Sequence, residues 1–191
     1  MAIKTFTSGE VLTASDTNTY LANSGLVFVE QVSVTNSAEI QINSCFDATF
    51  TSYQIVFSQI KHATTASNLQ FRMRNSGTNE TGSVYYDARM QITYAAAAVA
   101  YGNTNGGTIS TFGVTLNSSN TIGTSIFMDN PFGADRTTWS NTGGDSRTDG
   151  GAKFASGFVN TATSYDSISF SPATGSFADG GIITIYGFRK Q

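Results

Sequence analysis

The chain has 191 residues, a formal net charge of −3 at pH 7, and only 12% charged residues against 39% hydrophobic ones. Charge is thus about half of the ~25% usual in soluble domains, and the ten Lys and Arg are scattered from Lys4 to Lys190 without a basic block, which excludes an electrostatic footprint for nucleic acid. Aromatic residues at 12% argue against disorder, no stretch approaches the ~20 apolar residues of a membrane span, and the single cysteine, Cys45, excludes an internal disulfide and a cysteine zinc cluster.

Residues 1–25 differ in texture from all that follows and are read as an N-terminal arm; residues 26–191 are read as one domain. Met1 to Gly9 lacks the apolar core of a signal peptide, so synthesis in the cytoplasm is expected. Thr13 and Asp16 have the spacing of a capping box, which predicts a helix over residues 14–23 with Gly25 as its stop. So short a helix is marginal alone in water. Tyr20 and Leu21 must therefore dock, either on the chain's own body or on a neighbouring subunit or shell.

From Leu26 the pattern becomes short strands divided by polar turns. Strands are predicted over residues 26–34, 39–46, 53–58 and 69–74, with Tyr53, Ile55, Phe57, Leu69, Phe71 and Met73 inward and Gln70, Arg72 and Arg74 outward. Residues 75–79 read as a turn, and residues 83–94 as a long strand with Tyr85 and Tyr86 on opposite faces. The alanine-rich residues 95–100 read as extended or irregular, and Gly102 to Gly107 as a loop. Strands over 109–116 and 121–128 follow. Residues 129–153 are nearly free of aliphatics, carry the only tryptophan, Trp139, and read as the largest surface loop. A strand at 154–159 comes next, and then a hairpin whose second arm puts Ile183 and Ile185 on one face and Thr184, Tyr186 and Phe188 on the other. Apolar bulk on both faces means that neither is wholly wet. About ten strands with no helical period after Asn23 and no internal repeat predict an all-β, jelly-roll-like antiparallel β-sandwich.

No residue announces a reaction. Cys45 reads as a small buried hydrophobe, and His62, the only histidine, has no accompanying nucleophile motif. Glu30, Glu39, Glu80 and Asp87 hold the functional groups of a glycosidase pair, but solvated surface is their commoner use. Asp129, Asn130, Asp135, Asp145 and Asp149 offer oxygen to calcium, yet turn formation explains them without an ion. No metal, cofactor or catalytic residue is expected. Trp139 with Tyr85, Tyr86 and Tyr101 is a candidate aromatic platform for a sugar ring, set against ordinary packing.

The run from Phe6 to Leu21, FTSGEVLTASDTNTYL, resembles an opening found in tailed-bacteriophage virion proteins; Phe170-Ser171-Pro172 and Ile183 to Phe188, ITIYGF, resemble the ending of the same group. The resemblance implies a virion structural protein with a β-sandwich head, a homotrimeric assembly and an N-terminal arm that attaches to the particle. A capsid cement or decoration protein is the leading expectation, with the major capsid protein or other virion proteins as partners, the virion as its location, and neither nucleic acid nor membrane bound. Attachment is assigned to Phe6, Val11, Leu12, Tyr20 and Leu21, and the subunit interface to Ile182, Tyr186 and Phe188. The alternative is a tail-fibre or baseplate tip that contacts a host receptor or glycan through the loop of residues 129–153 and Trp139; an enzyme cleaving envelope polysaccharide ranks third.

Overall fold

The computed structural model of the chain describes residues 7–11, 13–16, 25–94, 99–144 and 150–189. One helical turn, α1 (Ala14–Asp16), precedes thirteen strands among the described residues: β1 (Leu26–Val34), β2 (Ile40–Ile42), β3 (Phe50–Ile60), β4 (Ser67–Asn75), β5 (Thr78–Asn79), β6 (Tyr85–Thr93), β7 (Val99–Gly107), β8 (Ser110–Leu116), β9 (Ile122–Asp129), β10 (Thr137–Gly144), β11 (Gly151–Val159), β12 (Ser167–Pro172) and β13 (Gly181–Arg189). They form two antiparallel sheets. The larger runs β1-β13-β3-β9-β10-β11-β6-β7; the smaller runs β2-β12-β4-β5, with β8 also on β4. The two sheets pack face to face as a jelly-roll-like sandwich, with β8 of the smaller sheet lying against β6, β7, β10 and β11 of the larger.

Between the sheets lies one aromatic core. Phe71 and Phe112 stack with ring centroids 4.9 Å apart, Phe57 meets Phe170 edge-on at 4.8 Å, and Ile55, Ile183, Ile185 and Met128 are fully buried around them. The apolar phase of β1 slips, from Val27 and Val29 to Val32 and Val34, so a bulge between Phe28 and Glu30 is needed to bring both pairs to the core side. Likewise Ile60 is out of phase with Phe57. Gln59, at φ 54°, takes up the extra residue and Ile60 is fully buried.

Five expectations are corrected. The two terminal strands are not a hairpin: β12 pairs β2 and β4 in the smaller sheet, whereas β13 lies between β1 and β3 in the larger one. The eight residues between them cross the sandwich, held by Phe177 N–H to Ser37 O at 2.9 Å and Ala178 N–H to Lys61 O at 3.0 Å. Residues 102–107 are not a loop but most of β7, and residues 129–153 contain β10 and the start of β11. Their inward positions carry Thr137, Trp139, Asn141 and Lys153, so apolar alternation could not reveal them. The second strand is cut to three residues because Ser44, at φ 55°, turns the chain. Arg74 does not face out. It is buried, donating to Asn79 Oδ1 at 2.7 Å and to Gly77 O across the β4–β5 turn, where Ser76 and Gly77 both have positive φ.

Candidate interaction surface

The orientation of β13 decides what the outer face of the larger sheet presents. With Ile183 and Ile185 committed inward, Ile182, Tyr186 and Phe188 point away from the core. Register places Phe28 beside Tyr186 and Leu26 beside Phe188, while Tyr186 and Phe127 flank Gln54 from opposite sides. Phe28 meets Tyr186 edge-on at 6.3 Å, and Phe127 lies 5.6 Å from Phe188. These rings are far from covered: Phe28 is 59% exposed, Phe127 44% and Ile182 37%. The three residues expected at a subunit interface thus share one face with aromatic neighbours.

The other half of this face is ridged. Phe154, Met90 and Tyr101 stand side by side on β11, β6 and β7; two residues along, Ser156, Ala88 and Asn103 form a row of smaller side chains; beyond it Phe158 and Tyr86 stack at 4.9 Å. The guanidinium of Arg136 lies 5.1 Å from the Phe158 ring. Two shallow grooves of about 440 Å³ each follow this row, one toward Phe154 and one toward Phe158. The two faces of β11 are inverted relative to an ordinary half-buried strand. Lys153 is 4% exposed and points inward, whereas Phe154 is 42% exposed and points out. Slipping the register by one residue would exchange them, yet nine paired positions with β6 and eight with β10 fix it.

Other sequence candidates fall elsewhere. Trp139 is a correction: it is 3% exposed and sits edge-on to Phe71 at 5.5 Å and to Phe112 at 5.6 Å, a core side chain with no face toward a glycan. Tyr85 is buried too, donating from its hydroxyl to Glu80 O at 3.2 Å and accepting from Met73 N at 3.0 Å. Cys45 is buried, and burial pushes its thiol well above the ordinary range. His62 is a buried staple. Its Nδ1 accepts from Thr65 N at 2.9 Å and its Nε2 donates to Thr174 O at 2.7 Å, tying the β3–β4 turn to the β12–β13 crossover.

The carboxylates are structural partners. Glu39 accepts from Gln41 and Asn79 at 2.8 Å each, and Glu80 from Tyr165 Oη at 3.1 Å. Burial alone would raise the Glu39 carboxyl; hydrogen bonds from Gln41, Ser169 and Asn79 and the charge of Arg74 hold it below the ordinary range. Asp129 accepts from Ser52 Oγ at 2.6 Å. Among the described residues no group of three His, Cys, Asp or Glu is arranged to hold a metal ion.

Phe6, Leu12, Tyr20 and Leu21, with Asp145 and Asp149, lie outside the described residues. Of the arm, residues 7–11, 13–15 and 25 are exposed, Val11 at 77%, and Thr7 to Glu10 close a turn through Glu10 N–H to Thr7 O at 3.0 Å. The aromatic ridge at Phe154, Tyr86 and Phe158 was missed because strand membership alone does not assign a face; the adjacent Lys153-Phe154 pair, with the register of β11, is the signal. No helix among the described residues is long and apolar enough to cross a membrane. Compared with protein-family models, curated proteins and solved structures, the chain gives no match.

Proposed function

We propose that this protein is a structural component of a bacteriophage particle, a cement or decoration subunit that assembles as a homotrimer through the outer face of its larger sheet. The observation that carries the proposal is the inverted burial of that face, where Phe28, Phe127, Phe154 and Ile182 stand in water while Lys153 is enclosed. Large exposed apolar patches on folded proteins mark interaction surfaces, and a sheet face of this kind is covered when a second surface packs on it at the ~10 Å spacing of stacked sheets. The arm, residues 1–25, reaches the shell, with Val11 and the other apolar positions at 6, 12, 20 and 21 seated on the major capsid protein or another virion protein. The exposure of the described arm residues supports this division of labour. Its action is mechanical: contacts present only in the assembled particle stabilise that state by mass action and raise the barrier to opening.

Sedimentation equilibrium on the full chain, beside Tyr186→Ser and Phe154→Ser, tests the assembly. A trimer that both substitutions shift toward monomer, with circular dichroism unchanged, is expected. A wild-type chain that stays monomeric at every concentration overturns it. Electron cryomicroscopy of particles containing the subunit then tests its position, head placement being the expected result and tail-tip placement the contrary one.

A further inference from the structure

A second feature lies between the two sheets, toward the β7 edge of the larger one. There β6, β7 and β11 enclose, with β4 and β8, a cavity of about 250 Å³, below the roughly 300–1,000 Å³ of drug-sized sites. Arg89, Gln91, Asn68, Gly102 and Gly113 are among its lining residues. Arg89 is held there from behind. Its Nε lies 3.0 Å from Oδ1 of Asp87, an ion-pair contact not aligned as a hydrogen bond, and the Asp87 side chain is fully buried. Asp87 is fixed in turn by its Oδ2, which accepts from Ser110 Oγ at 3.0 Å and Thr111 N at 3.3 Å. Gly113, at φ +76°, lies beside the aliphatic stem of Arg89, and a Cβ there would be in ordinary contact with Cγ at 3.5 Å. Among the described residues Asp87 is the sole ion-pair or hydrogen-bond partner of Arg89, so both Nη groups remain available.

The neighbouring polar groups are the Asn68 and Gln91 amides, the Thr115 hydroxyl and the Lys153 ammonium. Thr115 is already engaged, accepting from Lys153 Nζ at 2.6 Å and donating to Asn68 Oδ1 at 3.1 Å, which leaves the Asn68 amide nitrogen as a donor. Gln91, two residues from Arg89 on the same face of β6, adds a donor and an acceptor. A guanidinium fork oriented by a buried carboxylate, flanked by two primary amides in a space this small, matches a planar anion attached to a hydroxylated frame. We propose that this cavity binds an acidic monosaccharide of the hexuronate class, its carboxylate on the Nη groups of Arg89 and its hydroxyls on Gln91 and Asn68.

The test is a ¹H–¹⁵N NMR titration of the full chain with D-glucuronate, D-glucose and acetate in parallel. Glucuronate is expected to shift the Gly102 and Gly113 amides saturably, with glucose and acetate at least about tenfold weaker, the loss of one charge-assisted contact or of the hydroxyl set. Arg89→Gln should weaken glucuronate by about tenfold or more. Because that variant leaves Asp87 without its cation, Gln91→Ala provides a second reading that leaves the ion pair in place; a several-fold loss with an unchanged spectrum elsewhere is expected. No saturable shift with glucuronate, or an affinity matched by glucose or by acetate, overturns the assignment. The oligomeric state plays no part in this measurement, so its failure is separate from failure of the assembly proposal.

Discussion

Replacing Trp139 by alanine removes the ring on which the centre of the sandwich closes. A buried tryptophan removes roughly 150–250 Å² from water, which at ~25 cal/mol per Å² gives about 4–6 kcal/mol before the part that alanine retains is subtracted. Measured truncations of buried Phe and Trp to Ala cost about 3–5 kcal/mol, and the two edge-on contacts with Phe71 and Phe112 place this site within that range. For a domain of 150–250 residues each kcal/mol moves Tm by roughly 2–4 °C, so Trp139→Ala should lower it by roughly 6–20 °C. Trp139→Phe separates packing from polarity. The indole Nε1 is buried with no hydrogen-bond partner among the described residues, a burden of about 1–3 kcal/mol, and phenylalanine discards it while keeping a ring against Phe71 and Phe112. The Phe variant should therefore lose only about 1 kcal/mol, the smaller ring being offset by the discarded donor. Thermal unfolding by circular dichroism reads both, and the sole tryptophan reports its own environment by blue-shifted emission that moves red on unfolding. An alanine variant within about 2 °C of the wild type, on the same Tm scale, or native emission like that of free indole in water, would refute the core assignment of Trp139.

Two further perturbations follow from buried polar groups. Burial pushes the Tyr53 phenol up to about 12 and also raises Tyr85 and Tyr165; unfolded tyrosines ionise near ~10. The fold therefore holds protons that the unfolded chain has released, so this contribution is intact below pH ~10 and drains away as pH climbs from there through the folded values. Tm recorded against pH alongside tyrosinate absorbance should show a fall that begins above pH ~10 and coincides with ionisation; a flat profile to pH ~12 would contradict it. Arg74→Ala should cost about 2–3 kcal/mol in urea unfolding, since it strips Asn79 and Gly77 of their buried donor, and should speed amide exchange at Asn79; a cost below ~0.5 kcal/mol, the range of neutral surface changes, would show that the β4–β5 turn stands without it.

How much of this was legible in the chain depends on what each strand buries. β3 and β4 alternate Tyr53, Ile55, Phe57 and Leu69, Phe71, Met73 with polar residues, and their inward faces are read directly from the letters. β10 is invisible by the same rule because Thr137 and Asn141 flank Trp139 on its inward side. The pairing partner of β12 was misjudged for another reason: a Gly-punctuated connection of eight residues serves a hairpin or a crossover equally well, and only Ile168 and Phe170 against Met73 and Phe71 decide it. That Ile182, Tyr186 and Phe188 share the outward face of β13 was legible from two-faced apolarity. The Arg89 cavity was not, since it arises where strands distant in sequence meet, and no single segment carries its signature.

Strand β13 fills the slot between β1 and β3, pairing eight positions on each side, so residues 26–34 cannot join the sheet until residues 181–189 arrive. Until residues 181–189 have been made, the facing edges of β1 and β3 stay open, and their closure spans some of the longest sequence separations in the molecule. Such topologies fold on the slow, millisecond-to-second side, and unsatisfied edges recruit strangers. Yield in a cell should hence respond more to translation temperature and chaperone supply than to any gain in the equilibrium stability of the finished sandwich.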